Sequence, residues 1–166
     1  MSSHHPCSHN HFSHRHHEQL VREFLQAAHG VQIKHLDTYV AEQVKCWGFP
    51  EFNPGNRDEY QGFFNYIADV FAEQTFSIEQ LLADDAQVLV RFRISGKHHE
   101  EFMGLPATGG ELEFTATALF RLDAGMIHEV WMYNKHIVLQ TAKGYRYSTR
   151  AAIACPQVSS MHAIAC

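Results

Sequence analysis

His98 is the residue whose type and position most favour chemistry. It follows an alternating stretch in which Phe92 and Ile94 have the same parity, so a regular strand points all three side chains to the apolar side of a sheet. A histidine on an apolar face is either a structural group with satisfied hydrogen bonds or an acid and base near its working pKa. The sequence leaves both interpretations open. The neighbouring His99 has the opposite parity and is expected in solvent.

A second group of candidates follows the mostly apolar segment 126–133. The amide of Asn134 can bind or polarise a carbonyl oxygen. Lys135 and His136 carry groups that can accept a proton, but their position at the end of a strand favours solvated side chains. We therefore take His98 and Asn134 as the catalytic candidates.

Residues 1–17 hold seven of the fourteen histidines, separated mainly by serine, asparagine and proline. Because this segment has almost no apolar residues to bury, it is predicted to be a disordered tail. Its imidazoles and Cys7 are suitable ligands for zinc, copper or nickel, but their spacing matches no closed structural site. We expect adventitious metal affinity there and no specific metal site. A metal-buffering role for this tail is an alternative function.

Length and composition indicate one globular domain. The chain has 166 residues, of which 45% are hydrophobic and 19% charged. Its net charge of -5 and the lack of a basic stripe argue against nucleic-acid binding. The apolar runs are too short for a membrane-spanning helix, and no signal-peptide core is visible, so a cytoplasmic location is expected. The cysteines are widely spaced, which makes disulfides unexpected in that compartment.

The first half of the chain has helical periodicity. Residues 18–29 have an amphipathic pattern with Gly30 as a cap. A second helix is predicted from the spacing of Ile33, Leu36, Val40 and Val44. A third has a strongly apolar face made of Tyr60, Phe63, Phe64, Ile67, Val70 and Phe71.

The second half alternates as strands do. Four strands are predicted around 76–82, 88–95, 112–122 and 126–133, with a hairpin at residues 123–125. Helices followed by an antiparallel meander predict an α+β domain over residues 18–150, and 151–166 form a small, periodless C-terminal tail. A sheet that curves around a helix encloses an apolar cavity, which is a common place for a small ligand.

Glycine-rich motifs between Gly96 and Trp131 identify a family. The segments GKH at 96–98, EFMGLPATG at 101–109, FR at 120–121 and GMIHEVW at 125–131 occur in this order. Together they resemble the SnoaL-like polyketide cyclase (ester cyclase) family. Members of that family carry a GTH turn, a loop with Gly, Pro, Thr and Gly, a Phe-Arg pair and a strand with Glu and Trp. The resemblance covers residues 18–140.

The resemblance implies a nuclear transport factor 2-like fold, a cone of N-terminal helices packed on a curved antiparallel sheet that encloses a pocket. It implies a small apolar or polyketide-derived substrate and ring closure by aldol condensation, with neither metal nor organic cofactor. It also implies a homodimer. His98 matches the histidine of the family's turn, and Trp131 matches the tryptophan of its strand.

Two departures put the family's own reaction in doubt. Ring-closing members carry an aspartate just after the strand tryptophan and a histidine in the preceding strand. This chain has Met132 and Ala118 there. A thioether and a methyl group cannot transfer protons.

The sequence therefore supports two functions. As an enzyme for cyclisation, isomerisation or hydrolysis, the protein would use His98 as acid and base and Asn134 as a carbonyl contact. The substrate would lie against Trp131, Phe92, Met103, Tyr66, Met132 and Ala118. The alternative is a non-catalytic module of the same fold that binds a small ligand or another protein.

Overall fold

The structure is a computed structural model that describes residues 9–30 and 35–149, with side chains from residue 14 onward. This part of the chain holds two α-helices, α1 (His9–Ala28) and α2 (Arg57–Val70), and a short 3-10 turn at Leu36–Thr38. Six strands accompany them: β1 (Val40–Trp47), β2 (Phe71–Ala83), β3 (Gln87–His98), β4 (Glu111–Asp123), β5 (Met126–Gln140) and β6 (Arg146–Ser148).

The strands form one sheet in the order β1-β5-β4-β3-β2, and β6 pairs with β5 beyond the end of β1. The meander from β2 to β5 is antiparallel as predicted, but β1 runs parallel to β5, so the sheet is mixed. Two helices on a curved, unclosed sheet confirm the predicted α+β cone.

Both helices bury one apolar face against the concave side of the sheet. In α1 the buried positions are Val21, Phe24, Leu25 and Ala28, the helical spacing that the sequence predicts. In α2 they are Tyr60, Phe63, Phe64, Ile67 and Val70. The Phe24 ring lies within 5.7–6.1 Å of the rings of Phe64, Tyr60 and Phe120, which ties both helices to β4.

The first turn of α2 is capped from its own sequence. The Asn56 side chain accepts a hydrogen bond from the Glu59 backbone nitrogen at 2.8 Å, and Glu59 accepts one from Gly55 at 2.6 Å. This exchange satisfies helix-end donors that have no partner within the helix. It fixes where α2 enters the fold and therefore which face it turns to the sheet.

The predicted second helix is a strand. Val40 and Val44 lie in β1, where Val40, Val44 and Cys46 are buried. The prediction was wrong because a spacing of four residues fits both a helical turn and two strand repeats, and β-branched valines favour the strand. Ile33 lies outside the described residues. Of the three predicted helices, the described part of the chain therefore contains the first and the third.

The ends of one helix and one strand also differ from the prediction. Helix α1 begins at His9, inside the segment 1–17 predicted as a tail. Strand β5 continues past Tyr133 to Gln140, and β6 follows it. Residues 1–8 and the predicted tail 151–166 lie outside the described residues.

Strand parity in β3 and β4 matches the prediction. Val88, Val90, Phe92, Ile94 and His98 are buried, and β4 buries every second residue from Leu112 to Leu122. Gly96 interrupts the apolar series because β2 crosses closely there. A Cβ at Gly96 would lie 2.7 Å from the Ala72 carbonyl oxygen, so only glycine fits.

Candidate functional site

An apolar cavity lies between the two helices and the concave face of the sheet. Side chains from α1, α2, β3, β4 and β5 meet there, and aromatic rings predominate: Phe49, Phe63, Phe64, Phe92, Phe114 and Phe120. We call this space the interior cavity. Every strand that lines it contributes alternate residues, so its walls follow directly from the strand parity.

The interior cavity is narrow in this conformation. Its volume is about 20 Å³, room for about one water molecule. Pockets that hold drug-sized molecules are on the order of 300–1,000 Å³. A ligand larger than a few atoms therefore requires the aromatic side chains to move apart.

A wider cleft opens on the outside of the molecule. It has a volume of about 420 Å³ and lies between the 3-10 turn, β1 and the start of α2. Its walls carry Asp37, Glu42, Arg57 and Asp58 and face solvent. Such a polar cleft offers an apolar molecule little burial, so the interior cavity is the better candidate site despite its size.

Three of the predicted site residues line the interior cavity. Phe92 lies on β3, and Ala118 and Met132 are directly opposed across the β4–β5 ladder. All three are buried. Ala118 and Met132 thus lie side by side on the cavity wall.

Trp131 lies on the opposite face of the sheet. Its neighbours Val130 and Met132 line the cavity, and successive strand residues point to opposite sides. The indole stacks on Trp47 of β1 with ring centroids 4.3 Å apart and planes inclined by 21°. Its buried Nε1 has no hydrogen-bond partner among the described residues. Trp131 is therefore not a cavity wall in this structure.

Asn134 lies at an irregularity of β5. The β4–β5 register shifts between the pairs Thr115–His136 and Thr117–Tyr133, and Asn134 has a φ of 51°. Its side chain is exposed and is not among the cavity-lining residues. Next to it, the Lys135 Nζ donates to the Gly48 carbonyl oxygen. The structure therefore places the predicted carbonyl contact at the sheet surface.

His98 is fully buried at the end of β3, but the residues that line the cavity do not include it. Its Nδ1 lies 3.0 Å from the Thr108 Oγ1, and its backbone bonds to Gly109 and Gly110. Burial lowers the pKa of His98, and the backbones of Glu100 and Leu105 oppose that shift. These contacts fasten the glycine-rich loop at residues 99–110, whereas the buried Nε2 of His98 makes no hydrogen bond to the described residues.

Met103 lies in this loop, and Tyr66 of α2 contacts it. The Tyr66 hydroxyl donates to the Glu101 carbonyl oxygen at 2.8 Å, and the Met103 backbone nitrogen donates to the Glu51 Oε1 at 3.1 Å. Burial, followed by the charge of Glu51, raises the pKa of Tyr66. Neither side chain lines the interior cavity among the described residues.

His29 is the cavity residue that the sequence reasoning missed. It follows the last residue of α1 and lines the interior cavity. Its Nδ1 lies 3.0 Å from the Gln74 Nε2, and its ring stacks on Phe76 at 4.3 Å between centroids. Burial lowers the pKa of His29 from 6.5 to about 3, so the imidazole is neutral near pH 7. The amphipathic pattern of residues 18–29 placed it near a helix end, but no motif marked it.

Tyr60 is the other titratable residue on the described cavity wall. It is buried on α2, and burial raises the pKa of its phenol. Both groups are therefore uncharged at neutral pH. The interior cavity is an apolar space with neutral hydrogen-bonding groups, and its described lining includes no carboxylate, lysine or arginine.

The described part of the chain contains neither a cluster of metal-binding side chains nor a membrane-spanning helix. No group of three or more histidine, cysteine, aspartate or glutamate side chains there lies close enough to hold a metal ion. No helix among residues 9–30 and 35–149 is long and apolar enough to cross a membrane. The predicted metal affinity of residues 1–17 falls partly outside the described residues.

The fold is an α+β cone with an apolar interior cavity. Residues 18–140 match the SnoaL-like polyketide cyclase family, and the protein belongs to that family. The match covers most of the domain and includes the glycine-rich loop and the two strands that follow it. Among curated proteins, none is significantly similar in sequence.

Solved structures share the fold. A SnoaL-like polyketide cyclase from Agrobacterium tumefaciens is 19% identical, with a TM-score of 0.61, over 68% of this chain and 86% of its own. TsrD from Streptomyces laurentii is 17% identical, with a TM-score of 0.63, over 73% and 88%. A structure from Jannaschia sp. CCS1, named for the same family, is 14% identical, with a TM-score of 0.64, over 99% and 97%. At these identities the likeness extends to the fold.

Proposed function

We propose that the interior cavity binds a small apolar or polyketide-derived molecule and that the protein converts it by cyclisation, isomerisation or hydrolysis. The observation that carries this proposal is the cavity lining, in which Phe92, Ala118 and Met132 lie among aromatic rings from α2 and the sheet. Such a lining favours a flat, neutral molecule because it offers dispersion contacts and no charge. Membership of a polyketide cyclase family supports an enzyme.

The proposed reaction proceeds without the Asp/His pair of ring-closing relatives. The sequence resemblance assigns Ala118 and Met132 to the positions of that pair, and neither side chain can transfer a proton. Catalysis would then depend on folding the substrate into a reactive conformation, because holding reacting groups together removes much of the entropic barrier. Proton transfers would fall to other groups of the chain or to solvent. His98 stays the sequence-based candidate, and a His98→Ala variant that keeps full turnover removes it.

The test is to incubate the full chain with an aromatic β-keto ester, a probe of the expected substrate class. Chromatography with mass spectrometry follows the compound before and after. We expect a new species: an isomer, a product lighter by one water, or the β-keto acid and the alcohol that hydrolysis of the ester releases. A matched Ala118→Phe variant fills the cavity from the β4 wall, and we expect it to abolish the conversion. An unchanged compound that nevertheless binds contradicts the enzymatic proposal.

The alternative function is a non-catalytic module that holds a small ligand in the same cavity. The adjacent Ala118 and Met132 favour it because they leave this part of the wall without a proton donor or acceptor. Binding without chemical change in the same experiment supports this alternative.

We also propose a homodimer formed through the convex face of the sheet. A row of side chains crosses five strands there through successive pairs of the ladder: Leu82, Leu89, Leu119, Trp131 and Trp47. We call it the outer apolar row. Leu82 is 58% exposed and Leu89 36%, so burial against a second copy would remove apolar surface from water.

A further inference from the structure

We propose that His29 is the hydrogen-bond donor of the interior cavity and that it selects a neutral aromatic ligand with a carbonyl oxygen. This inference rests on the proposed function, because it assigns the ligand chemistry of the same cavity. It is carried by the position of the imidazole on the cavity wall and by the contacts that hold it there.

The ring of His29 is held from several sides. The residue continues the last turn of α1, since its backbone nitrogen donates to the Leu25 carbonyl oxygen at 3.0 Å. Phe76 of β2 stacks on one face of the ring with planes inclined by 10°. Phe64 of α2 meets it edge-on at 5.3 Å. A ring fixed in this way presents its free nitrogen in one direction, which is what recognition of a ligand atom needs.

The bond with Gln74 sets where the ring carries its proton. With the Gln74 side chain oriented so that its Nε2 faces the ring, the amide donates to the His29 Nδ1 at 3.0 Å. A neutral imidazole has one protonated nitrogen, so Nδ1 as an acceptor leaves the proton on Nε2. His29 is then a donor at its second nitrogen.

The neutral state makes this imidazole a donor and a poor base. Burial lowers the pKa of His29 to about 3, and an imidazole with so low a pKa seldom holds a second proton near pH 7. It can still donate the proton on Nε2 to a carbonyl oxygen and stabilise charge that develops on that oxygen. The role proposed for His29 is therefore polarisation of a carbonyl group without proton abstraction.

The other residues that line the interior cavity determine which ligand framework fits around the carbonyl group. Apart from His29 and Tyr60, the described lining is made of aliphatic, aromatic and thioether side chains. A carboxylate would enter without a cation to compensate its lost hydration, so charged molecules are disfavoured. The rings of Phe92 and Phe114 lie on the sheet side of the cavity and favour a flat molecule. An aromatic ketone meets all of these conditions.

The test compares 1-indanone with indane, which share a bicyclic frame and differ in the carbonyl group. Dissociation constants for both are measured by NMR titration of the full chain and of the His29→Phe variant, which keeps an aromatic ring at this position. We expect the wild-type protein to bind 1-indanone about tenfold more tightly than indane, the gain that one buried hydrogen bond supplies. In the variant we expect about equal affinities for 1-indanone and indane. Its dissociation constant for indane should stay within about twofold of the wild-type value.

The outcomes separate the two claims. Equal binding of both compounds by the wild-type protein, or a preference that survives in His29→Phe, overturns the role of His29 and leaves the cavity proposal intact. Binding of neither compound contradicts the proposed cavity function together with this inference.

A second measurement does not depend on how His29→Phe folds. Long-range ¹H–¹⁵N spectra of the wild-type protein distinguish the two neutral tautomers of each histidine. We expect an Nε2-protonated pattern for His29 and a tautomer mixture in Gln74→Met, which lacks the amide donor. An Nδ1-protonated or charged His29 in the wild-type protein at pH 7 overturns the inference.

Discussion

His29 and His98 are histidines whose pKa values burial lowers, and they differ in what they contact. His29 lines the interior cavity and bonds to Gln74, whereas His98 fastens the glycine-rich loop through Thr108. A motif drew attention to His98, and the fold brings His29 to the cavity. Neutral imidazoles in both places make the protein sensitive to acid.

We expect stability to fall as the pH drops below about 6.5, the ordinary pKa of histidine. Both folded-state pKa values lie below that of the unfolded chain, so the unfolded chain binds more protons in this range and acid favours it. The window for His29 extends from pH 6.5 to about 3. Each group contributes at most about 1.4 kcal/mol per pH unit.

Urea denaturation at pH 7.5, 6 and 5 measures this dependence. The His29→Phe variant, which cannot take up that proton, should show a shallower loss of stability between pH 6 and 5. Constant or rising stability on acidification of the wild-type protein would contradict the neutral state of these histidines.

At the scale of elements, the loop at residues 99–110 depends on the Thr108 hydroxyl. That oxygen bonds to the His98 Nδ1 at 3.0 Å and accepts from the Gly110 nitrogen at 3.2 Å. We expect Thr108→Val to lower the free energy of unfolding by about 1–2 kcal/mol because it leaves the buried imidazole without this partner. Thr108→Ser keeps the hydroxyl and should stay close to wild type. Equal stability of all three proteins would show that the contact does not hold the loop.

The irregularity in β5 makes a separate prediction. Asn134 has a φ of 51°, a left-handed conformation that asparagine tolerates and β-branched residues avoid. We expect Asn134→Gly to be neutral or slightly stabilising and Asn134→Val to cost about 1–2 kcal/mol. Thermal unfolding of the two variants measures the difference. A valine variant as stable as wild type would contradict the strained position of this residue.

Strand parity was the part of the site that the sequence could predict. Alternation in β3 and β4 placed Phe92 and Ala118 on the buried face, and both line the cavity. It also determines that Trp131 cannot share a face with Met132, a consequence that the family motif obscured.

The packing of distant segments of the chain against each other was harder to predict. Four-residue spacing at Val40 and Val44 fits a helix and a strand equally, and parallel pairing with β5 decides for the strand. His29 joins the cavity only because α1 packs beside Gln74 and Phe76 of β2. No local pattern in a single sequence specifies such a contact between distant segments.

For the whole molecule, the outer apolar row should control association. Leu89 lies near the start of β3 with its side chain on the convex face. We expect Leu89→Arg to convert a dimer to a monomer because a charge would be buried without a partner in the interface. Asn65→Arg, which adds the same charge on exposed α2 surface, should leave association unchanged. Sedimentation velocity measures both variants, and a monomeric wild-type protein at micromolar concentration would contradict the dimer proposal.

The central claim is that the interior cavity, and no other surface, binds the ligand. The most direct measurement is an NMR titration of ¹³C-methyl-labelled methionine with 1-indanone in the full-length protein. Met132 lines the cavity, whereas Met103 lies in the loop outside it and is an internal control. Binding in the cavity predicts a saturable shift of the Met132 methyl signal with the Met103 signal unchanged. A Met132 signal that stays unchanged up to the solubility limit of the ketone would contradict the claim.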